Sequence, residues 1–342
     1  MAQLPPLIQA LLNEETYPEK PERVDLVQTQ MSFVFLLGKL VYKIKKPVNF
    51  GFLDFSTLEK RHHYCQQEVM LNRRLNPEMY LGVVEISQNG DDFSMDGSGE
   101  IVEYAVKMQQ IPLERTLDRL LARDEVTPEM LDRVAQKLVN FHQQSESTPE
   151  ISKYGDVTAI TRNTDENFSQ TQQYIGRSLS QQTYNTIKTY TENFLRNEDQ
   201  LFRHRVEEGR IKDCHGDLHS AHICFGEKVY IFDCIEFNDR FRYSDVASEI
   251  AFLAMDLDFH GHPDLGKHFV DAYVKASGDQ ELLQLLDFYK CYRAYVRGKV
   301  ESFKLDDPHI SDDEKQETLG IASRYFTLAE SYASAYIDEK VR

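Results

Sequence analysis

The first 110 residues contain short apolar runs separated by turn residues, a pattern typical of β-strands. Strands are predicted at residues 24–27, 33–37, 40–44, 81–87 and 101–108. Gly38-Lys39 separates the second run from the third, so these two strands should form a hairpin. Asn89 to Gly99 is polar and rich in glycine, which predicts a turn between the last two strands.

Two helices are predicted in the same region. Apolar residues recur with helical spacing between residues 5 and 14, which predicts a short helix. Ser56-Thr57-Leu58-Glu59 has the pattern of a capping box, so a longer helix should start there and run to about Leu75. Pro47 to Phe55 is rich in glycine and aromatic residues and predicts a loop.

From Ile111 onward the apolar spacing is mostly that of α-helices. Helices are predicted at residues 116–122, 128–144, 183–208, 245–256, 282–304 and 312–336. The polar stretch from Gln143 to Thr164 predicts a long flexible loop. Two apolar runs, Ile223–Phe225 and Val229–Phe232, flank a turn at Gly226 and predict the one β-hairpin of this region.

These elements predict an α+β protein with two lobes. Residues 1–110 should form a small β-rich N-terminal lobe, and residues 111–342 a larger helical C-terminal lobe that contains the hairpin within residues 213–236. A chain of 342 residues is long enough for each lobe to have its own core.

Net charge, cysteine spacing and hydrophobicity indicate which partners and which cellular location to expect. The formal net charge of -17, from 39 basic and 56 acidic residues, argues against nucleic acid and against an anionic membrane surface. The five cysteines include no C-x-x-C pair, which fits a reduced intracellular protein with free thiols. The N-terminal sequence has no basic region before its short apolar run, and no later window is apolar enough to span a membrane. We therefore expect a cytoplasmic protein.

The candidate chemistry lies in and around the predicted hairpin. Asp217 precedes its first strand, and Asp233 follows its second. Two carboxylates at one end of a hairpin suit the metal-assisted transfer of a charged group, because one can act as a base and the other can hold a cation. The alternative interpretation is that both aspartates only stabilise turns.

Several motifs resemble those of the aminoglycoside phosphotransferase-like kinases, which share the protein-kinase-like fold. The matching segments are Leu40-Val41-Tyr42-Lys43, Glu68, His215-Gly216-Asp217, Asp233 after Ile-Phe, and Asp245-Val246-Ala247. More narrowly, VYKIKKPVNFGFLDFS and FDCIEFN resemble an uncharacterised bacterial branch, whose members are sometimes fused to a P-loop kinase domain. The resemblance implies an N-terminal lobe that binds ATP.

The resemblance also implies roles for individual residues. Asp217 would be the base that accepts a proton from the hydroxyl group of a small-molecule substrate. Lys43 would contact the nucleotide phosphates with Glu68 as its partner, and Asp233 would bind Mg²⁺. Ser32 ends the turn that stands where a glycine-rich phosphate loop is usual, and it is a further candidate for nucleotide binding.

The lysine assignment has open alternatives. Lys43, Lys45 and Lys46 could be solvated charges at a strand edge, and Lys45 is the second candidate for the phosphate contact. Glu68 could be an ordinary surface charge of its helix. Arg293 and Arg297 lie four residues apart on one predicted helix face, where they could bind an anionic substrate or pair with carboxylates.

His222 departs from the family pattern. It occupies the loop position where the family usually has an asparagine as a second metal ligand, and imidazole is a poor ligand for Mg²⁺. His222 as a ligand therefore implies Mn²⁺, a metal shell completed by water, or weak activity. The first hypothesis is an ATP-dependent small-molecule phosphotransferase. The second is a nucleotide-binding, pseudokinase-like regulatory module, and the third is a metal site built from His215, His219, His222 and a cysteine.

Overall fold

The computed structural model of the chain describes residues 4–307 and 310–341. The strands are β1 (Asp25–Gln28), β2 (Ser32–Leu36), β3 (Leu40–Lys45), β4 (Tyr80–Asn89), β5 (Asp92–Met95), β6 (Glu100–Gln109), β7 (Ile211–Asp213), β8 (Ile223–Phe225), β9 (Val229–Ile231) and β10 (Tyr243–Asp245). The helices are α1 (Pro6–Ala10), α2 (Leu58–Arg73), α3 (Leu117–Leu121), α4 (Pro128–Gln144), α5 (Pro149–Ser152), α6 (Val157–Thr171), α7 (Gln181–Asn197), α8 (Asp199–Glu207), α9 (Asp239–Arg242), α10 (Val246–Phe259), α11 (Pro263–Ser277), α12 (Leu282–Lys304) and α13 (Asp312–Val341).

The chain folds into two compact units. Unit 1 comprises residues 1–115 and 224–239, and unit 2 comprises residues 116–223 and 240–342. Unit 1 contains the larger sheet, and unit 2 is mostly helical. The predicted α+β fold class is confirmed.

The sheet of unit 1 has the strand order β1-β2-β3-β6-β4-β5, and neighbouring strands are antiparallel. Successive side chains of β3 point to opposite faces. Tyr42 and Ile44 join the apolar core on one face, whereas Val41 packs in a second core that includes α2. Lys43 and Lys45 therefore share a face with Val41 and point toward the α2 side of the sheet.

The hairpin of β8 and β9 packs within unit 1. Cys224 is buried in the same core as Val41, and the side chain of Asn76 donates a hydrogen bond to the carbonyl oxygen of Ile231. The prediction placed this hairpin in the helical lobe, and these contacts group residues 224–239 with the first unit instead.

Two details of unit 1 differ from the predictions. β5 forms within the segment expected to be only a turn, because a tight turn at Gly90, whose φ is +63°, lets Asn89 pair with Asp92. The N-cap of α2 is Thr57 and not Ser56, since the Thr57 hydroxyl accepts a hydrogen bond from the Lys60 N–H at 3.3 Å.

Unit 2 is organised around α10. Residues 246–257 of this helix are all buried, and α10 packs against α11 and α12. α13 packs along α12, and α11 packs against α4.

The predictions for unit 2 need four corrections. Residues 143–164 are not a loop, because they contain α5 and the first half of α6. The buried face of α6 includes Thr164, Asn167 and Thr171 as well as apolar residues, so its hydrophobic pattern is weak. The helix predicted over residues 183–208 is divided between α7 and α8, and the short β7–β10 ladder and α11 were not predicted. Within the described residues, no helix combines the length and apolar character needed to cross a membrane.

Candidate functional site

Lys43 is held by two carboxylates in unit 1. Its Nζ donates hydrogen bonds to Glu68 Oε1 at 2.9 Å and to Asp233 Oδ1 at 2.6 Å. Glu68 comes from α2 and is fully buried, whereas the Asp233 side chain is 42% exposed. The structure thus brings together three residues that the sequence separates widely, and it places the lysine between a buried and an accessible carboxylate.

Lys45 belongs to the same network. Its Nζ donates to Glu68 Oε2 at 2.6 Å and also bonds Glu236 Oε1. The Lys45 side chain is 1% exposed, against 16% for Lys43. Glu68 therefore accepts from both lysines, but Lys43 is the more accessible of the two ammonium groups.

The charges in this cluster perturb one another. Burial alone would lower the pKa of Lys43, but Asp233, Glu68 and Glu236 raise it well above its ordinary value. Burial alone would raise the pKa of Glu68, but the two lysines outweigh it and lower that pKa. With every group ionised, the cluster has two ammonium groups and three carboxylates, and this excess of negative charge favours a cation beside the exposed Asp233.

The backbone at Asp233 is strained. Its φ is +64°, in the left-handed region that residues other than glycine rarely adopt. The Asp233 N–H donates to the Tyr80 hydroxyl at 3.2 Å, and the next N–H, of Cys234, donates to Asn72 Oδ1 at 2.9 Å. Such strain persists where surrounding contacts hold it, often at functional sites. Here it accompanies the orientation of the carboxylate toward Lys43.

Ser32 is not part of this carboxylate–lysine cluster. It begins β2, is buried, and pairs with Lys45 across the ladder. Its N–H donates to the Thr29 hydroxyl at 2.9 Å, and the Met31 N–H donates to the same oxygen at 3.2 Å. The turn is thus closed by its own hydrogen bonds, and a contact of Ser32 with nucleotide stays a prediction.

Asp217 lies in unit 2, on the loop between β7 and β8. His222 Nδ1 and His219 Nε2 lie 3.5 Å and 3.6 Å from Asp217 Oδ2. Burial alone would raise the pKa of Asp217, but His219, His222 and Arg297 hold it well below its usual range. The carboxylate is therefore ionised at neutral pH, and it is one-third exposed. An ionised carboxylate that a hydroxyl group can reach is able to accept a proton, and the lowered pKa makes it a weak base.

Two carboxylates of α10 accept hydrogen bonds from main-chain N–H groups of the Asp217 loop. The N–H groups of His215 and Gly216 donate to Glu249 Oε1 at 2.6 Å and 2.9 Å. The Ser220 N–H donates to Asp256 Oδ2 at 2.8 Å. Glu249 and Asp256 lie seven residues apart and so share one helix face.

Glu249 is itself fixed by a buried histidine. Glu249 Oε2 lies 2.7 Å from His142 Nε2, and His142 Nδ1 lies 2.7 Å from the Tyr273 hydroxyl. Burial alone would raise the pKa of Glu249, but the hydrogen bond and charge of His142 lower it to about 2. The predictions missed Glu249, although an acidic residue in so apolar a helix was the available signal.

The two arginines of α12 have different surroundings. Arg293 is buried and donates to the Gly216 carbonyl oxygen and to the Ser248 hydroxyl, at 3.2 Å and 3.1 Å. Arg297 lies 3.8 Å from Glu301. Arg293 thus holds the Asp217 loop through a main-chain carbonyl oxygen. From the sequence, only an anionic substrate or a carboxylate was expected as its partner.

The histidines of the loop also differ in environment. His215 is fully buried and its Nδ1 accepts the Asp217 N–H at 3.3 Å, whereas His222 Nδ1 donates to the Asp217 carbonyl oxygen at 2.9 Å. The structure groups His219 and His222 with Asp217 as possible metal ligands. This group differs from the third hypothesis, which included His215 and a cysteine and did not include Asp217.

Comparisons with known proteins agree with this fold. A model of the phosphotransferase enzyme family matches residues 103–289, more than half of the chain. Uncharacterized proteins of Mycobacterium tuberculosis and Mycobacterium bovis are 34% identical over 308 residues, which cover 90% of this chain and 59% of theirs. The chain thus spans less than two-thirds of the length of these relatives.

Solved structures share the fold at low sequence identity. A choline/ethanolamine kinase family protein from Mesorhizobium loti has a TM-score of 0.53 at 12% identity, covering 96% of this chain and 100% of that one. An amicoumacin kinase in complex with AMP-PNP, Ca²⁺ and Ami has a TM-score of 0.50 at 12% identity, covering 94% of this chain and 92% of that one.

Proposed function

The chain belongs to the phosphotransferase enzyme family, and we propose that it transfers the γ-phosphate of ATP to a hydroxyl group of a small molecule. The observation that carries this proposal is the bonding of Lys43 to both Glu68 and Asp233. Phosphoryl transfer depends mainly on positioning and on charge stabilisation, and a lysine held by a buried glutamate supplies both.

Lys43 is proposed to contact the nucleotide phosphates. Its partial exposure leaves the ammonium accessible, while Glu68 and Asp233 restrict its position. Lys45 is enclosed, and its proposed role is to neutralise Glu68 and Glu236. This division supports Lys43, and not Lys45, as the phosphate ligand. Ser32 stays a proposed nucleotide contact, and its backbone would have to make that contact because its side chain is buried.

Asp233 is proposed to hold the divalent cation. Its carboxylate is the most exposed of the cluster and lies where negative charge is in excess, which fits a hard cation such as Mg²⁺. When bound, Mg²⁺ would neutralise charge on the phosphates. His222, the other proposed metal ligand, offers an imidazole nitrogen, which suits Mn²⁺ better than Mg²⁺.

Asp217 is proposed to accept the proton of the acceptor hydroxyl. The nearby histidines and Arg297 keep this carboxylate ionised, and Glu249 and Arg293 hold its loop through main-chain hydrogen bonds. Because a positioned base contributes about 10²–10⁴-fold to rate, Asp217 is the residue on which turnover should depend most.

The alternative function is a pseudokinase-like regulatory module that binds nucleotide without transferring phosphate. It is favoured by His222, whose Nδ1 is engaged with the Asp217 carbonyl oxygen. The two functions differ in turnover and not in nucleotide binding.

The experiment that tests the proposal measures ADP formation and phosphorylated product over a panel of small hydroxyl compounds, with Mg²⁺ and separately with Mn²⁺. We expect ADP formation that depends on one class of acceptor and a product whose mass increases by one phosphoryl group. Nucleotide binding without acceptor-dependent turnover under either metal would contradict the proposal and support the regulatory module.

A further inference from the structure

We propose that Asp217, His219 and His222 form a binding site for a first-row transition-metal ion, with Zn²⁺ the best fit, and that a metal bound there inhibits phosphotransfer. The inhibition rests on the proposed function, whereas the binding site does not. The site is separate in chemistry from a Mg²⁺ site at Asp233, because two of its three ligands are imidazoles.

The three side chains lie close enough together to share one metal ion. One ligand atom from each residue lies within 4.8 Å of the others, and the two histidine nitrogens lie 3.5 Å and 3.6 Å from Asp217 Oδ2. Around a tetrahedral zinc ion with ordinary bond lengths, neighbouring ligand atoms lie about 3.3–3.5 Å apart. The nitrogens therefore need to approach Oδ2 by at most about 0.3 Å to reach the nitrogen–oxygen spacing of that geometry.

The donor set determines which ion is bound. Two imidazoles and one carboxylate favour Zn²⁺ and related transition metals, whereas Mg²⁺ and Ca²⁺ prefer oxygen ligands. Three protein ligands also leave a coordination position for water, as in open zinc sites. Excess Mg²⁺ should therefore not displace a metal from this loop.

The loop is largely organised for binding without a metal. The Ser220 N–H is fixed by Asp256, and the His222 N–H donates to the His219 carbonyl oxygen at 3.0 Å. The His219 N–H donates to the Asp217 carbonyl oxygen at 3.1 Å. The three ligand side chains are partly exposed, at 33%, 10% and 17% for Asp217, His219 and His222, so an ion can reach them.

Metal binding at His222 replaces one hydrogen bond and changes the ring tautomer. In the metal-free chain the Nδ1–H donates to the Asp217 carbonyl oxygen at 2.9 Å. A metal bound to Nδ1 takes the place of this hydrogen, so the neutral ring then carries its proton on Nε2. The carbonyl oxygen then faces the metal and can join its coordination shell.

The consequence for catalysis follows from Asp217 Oδ2. When Oδ2 is bound to a divalent metal ion, the positive charge makes both oxygens of the carboxylate much weaker proton acceptors. Zinc should therefore abolish phosphotransfer without abolishing nucleotide binding, and a chelator should restore it.

A second group of possible ligands offers an internal comparison. His142, Cys214 and Glu249 also come close together, but all three are fully buried. Both carboxylate oxygens of Glu249 already accept hydrogen bonds or contact His142. An ion bound there would have a thiolate ligand, which distinguishes it from one at Asp217.

The test uses the full chain after dialysis against a chelator, titrated with Zn²⁺ in competition with a chromophoric chelator and, separately, with Co²⁺. We expect one tight equivalent of Zn²⁺, undisturbed by excess Mg²⁺, and a Co²⁺ spectrum without a thiolate charge-transfer band. His219→Ala should weaken binding at least tenfold, whereas His63→Ala, an exposed histidine of α2, should leave it unchanged. Should circular dichroism show that His219→Ala is unfolded, His222→Asn removes a ligand with a smaller change in shape.

Two results would overturn the site. One is wild-type zinc affinity in a folded variant that lacks His219 or His222. The other is a thiolate band together with loss of binding in Cys214→Ser. Measurements of phosphotransfer with and without zinc separate the proposed function from the proposed inhibition. Zinc binding by a chain without turnover refutes the proposed function alone, and turnover that resists saturating zinc refutes the inhibition alone.

Discussion

The two lysines of β3 should respond differently to the same substitution. Lys45→Met removes an enclosed ammonium that bonds Glu68 and Glu236, and it leaves Glu236 buried without that partner. Breaking a buried ion pair from one side costs about 3–5 kcal/mol. Lys43→Met should cost about 1–3 kcal/mol, because Glu68 keeps Lys45 and Asp233 is partly hydrated.

Nucleotide affinity should follow the opposite order. Lys43→Met should weaken binding of a non-hydrolysable ATP analogue with Mg²⁺ by about tenfold or more, equivalent to about 1.4 kcal/mol or more. A folded Lys45→Met variant should lose less nucleotide affinity than Lys43→Met. Lys107→Met is the matched control, because its ammonium donates to Glu19 Oε1 at 2.6 Å and lies outside the cluster.

The assays are urea unfolding and isothermal titration calorimetry. Unfolding can be followed by circular dichroism and by tyrosine fluorescence, since the chain has no tryptophan and 18 tyrosines. The reasoning is refuted if Lys45→Met loses nucleotide affinity while Lys43→Met retains it. That result would make Lys45 the phosphate ligand.

Three further predictions concern unit 2. His222→Asn should preserve or raise Mg²⁺-dependent turnover and lower the ratio of Mn²⁺-dependent to Mg²⁺-dependent turnover. Loss of turnover with both metals would argue against His222 as a metal ligand. Because the pKa of Glu249 is lowered to about 2, its charge stabilises the fold above pH 4.5, by about 3 kcal/mol, and this stabilisation is lost as the pH falls toward 2. Glu249→Gln should therefore be less stable than wild type at pH 7 and nearly equal near pH 2, in urea unfolding at both pH values; a constant difference would contradict this. The same variant should lower kcat by displacing the Asp217 loop, with exposed Glu207→Gln as the control in steady-state kinetics.

Much of the fold was predictable because apolar spacing reports burial. α4 and α12 were predicted with the bounds that the structure has, and the β2–β3 hairpin follows from Gly38, whose φ is +81°. Apolar spacing does not predict a helix whose buried face contains polar residues, as in α6 with Asn167 and Thr171. It also cannot assign β8 and β9 to a unit, because Cys224 packs on residues far away in sequence.

The candidate site was predictable in part for a similar reason. Lys43, Glu68 and Asp233 were named from motifs, and the structure brings them into one hydrogen-bonded cluster. The second lysine and Glu236 complete a charge network that spacing alone does not reveal. Glu249 was missed because hydrogen bonds to main-chain N–H groups have no sequence pattern of their own.

The role of Asp217 as the base is tested most directly by Asp217→Asn. Turnover and nucleotide affinity should be measured on the same preparation, once an acceptor has been found, with exposed Asp264→Asn as the control. We expect turnover to fall by about 10²–10⁴-fold with ATP binding unchanged, because the amide cannot accept the hydroxyl proton. Wild-type turnover in Asp217→Asn would show that this carboxylate is not the base and would contradict the proposed mechanism.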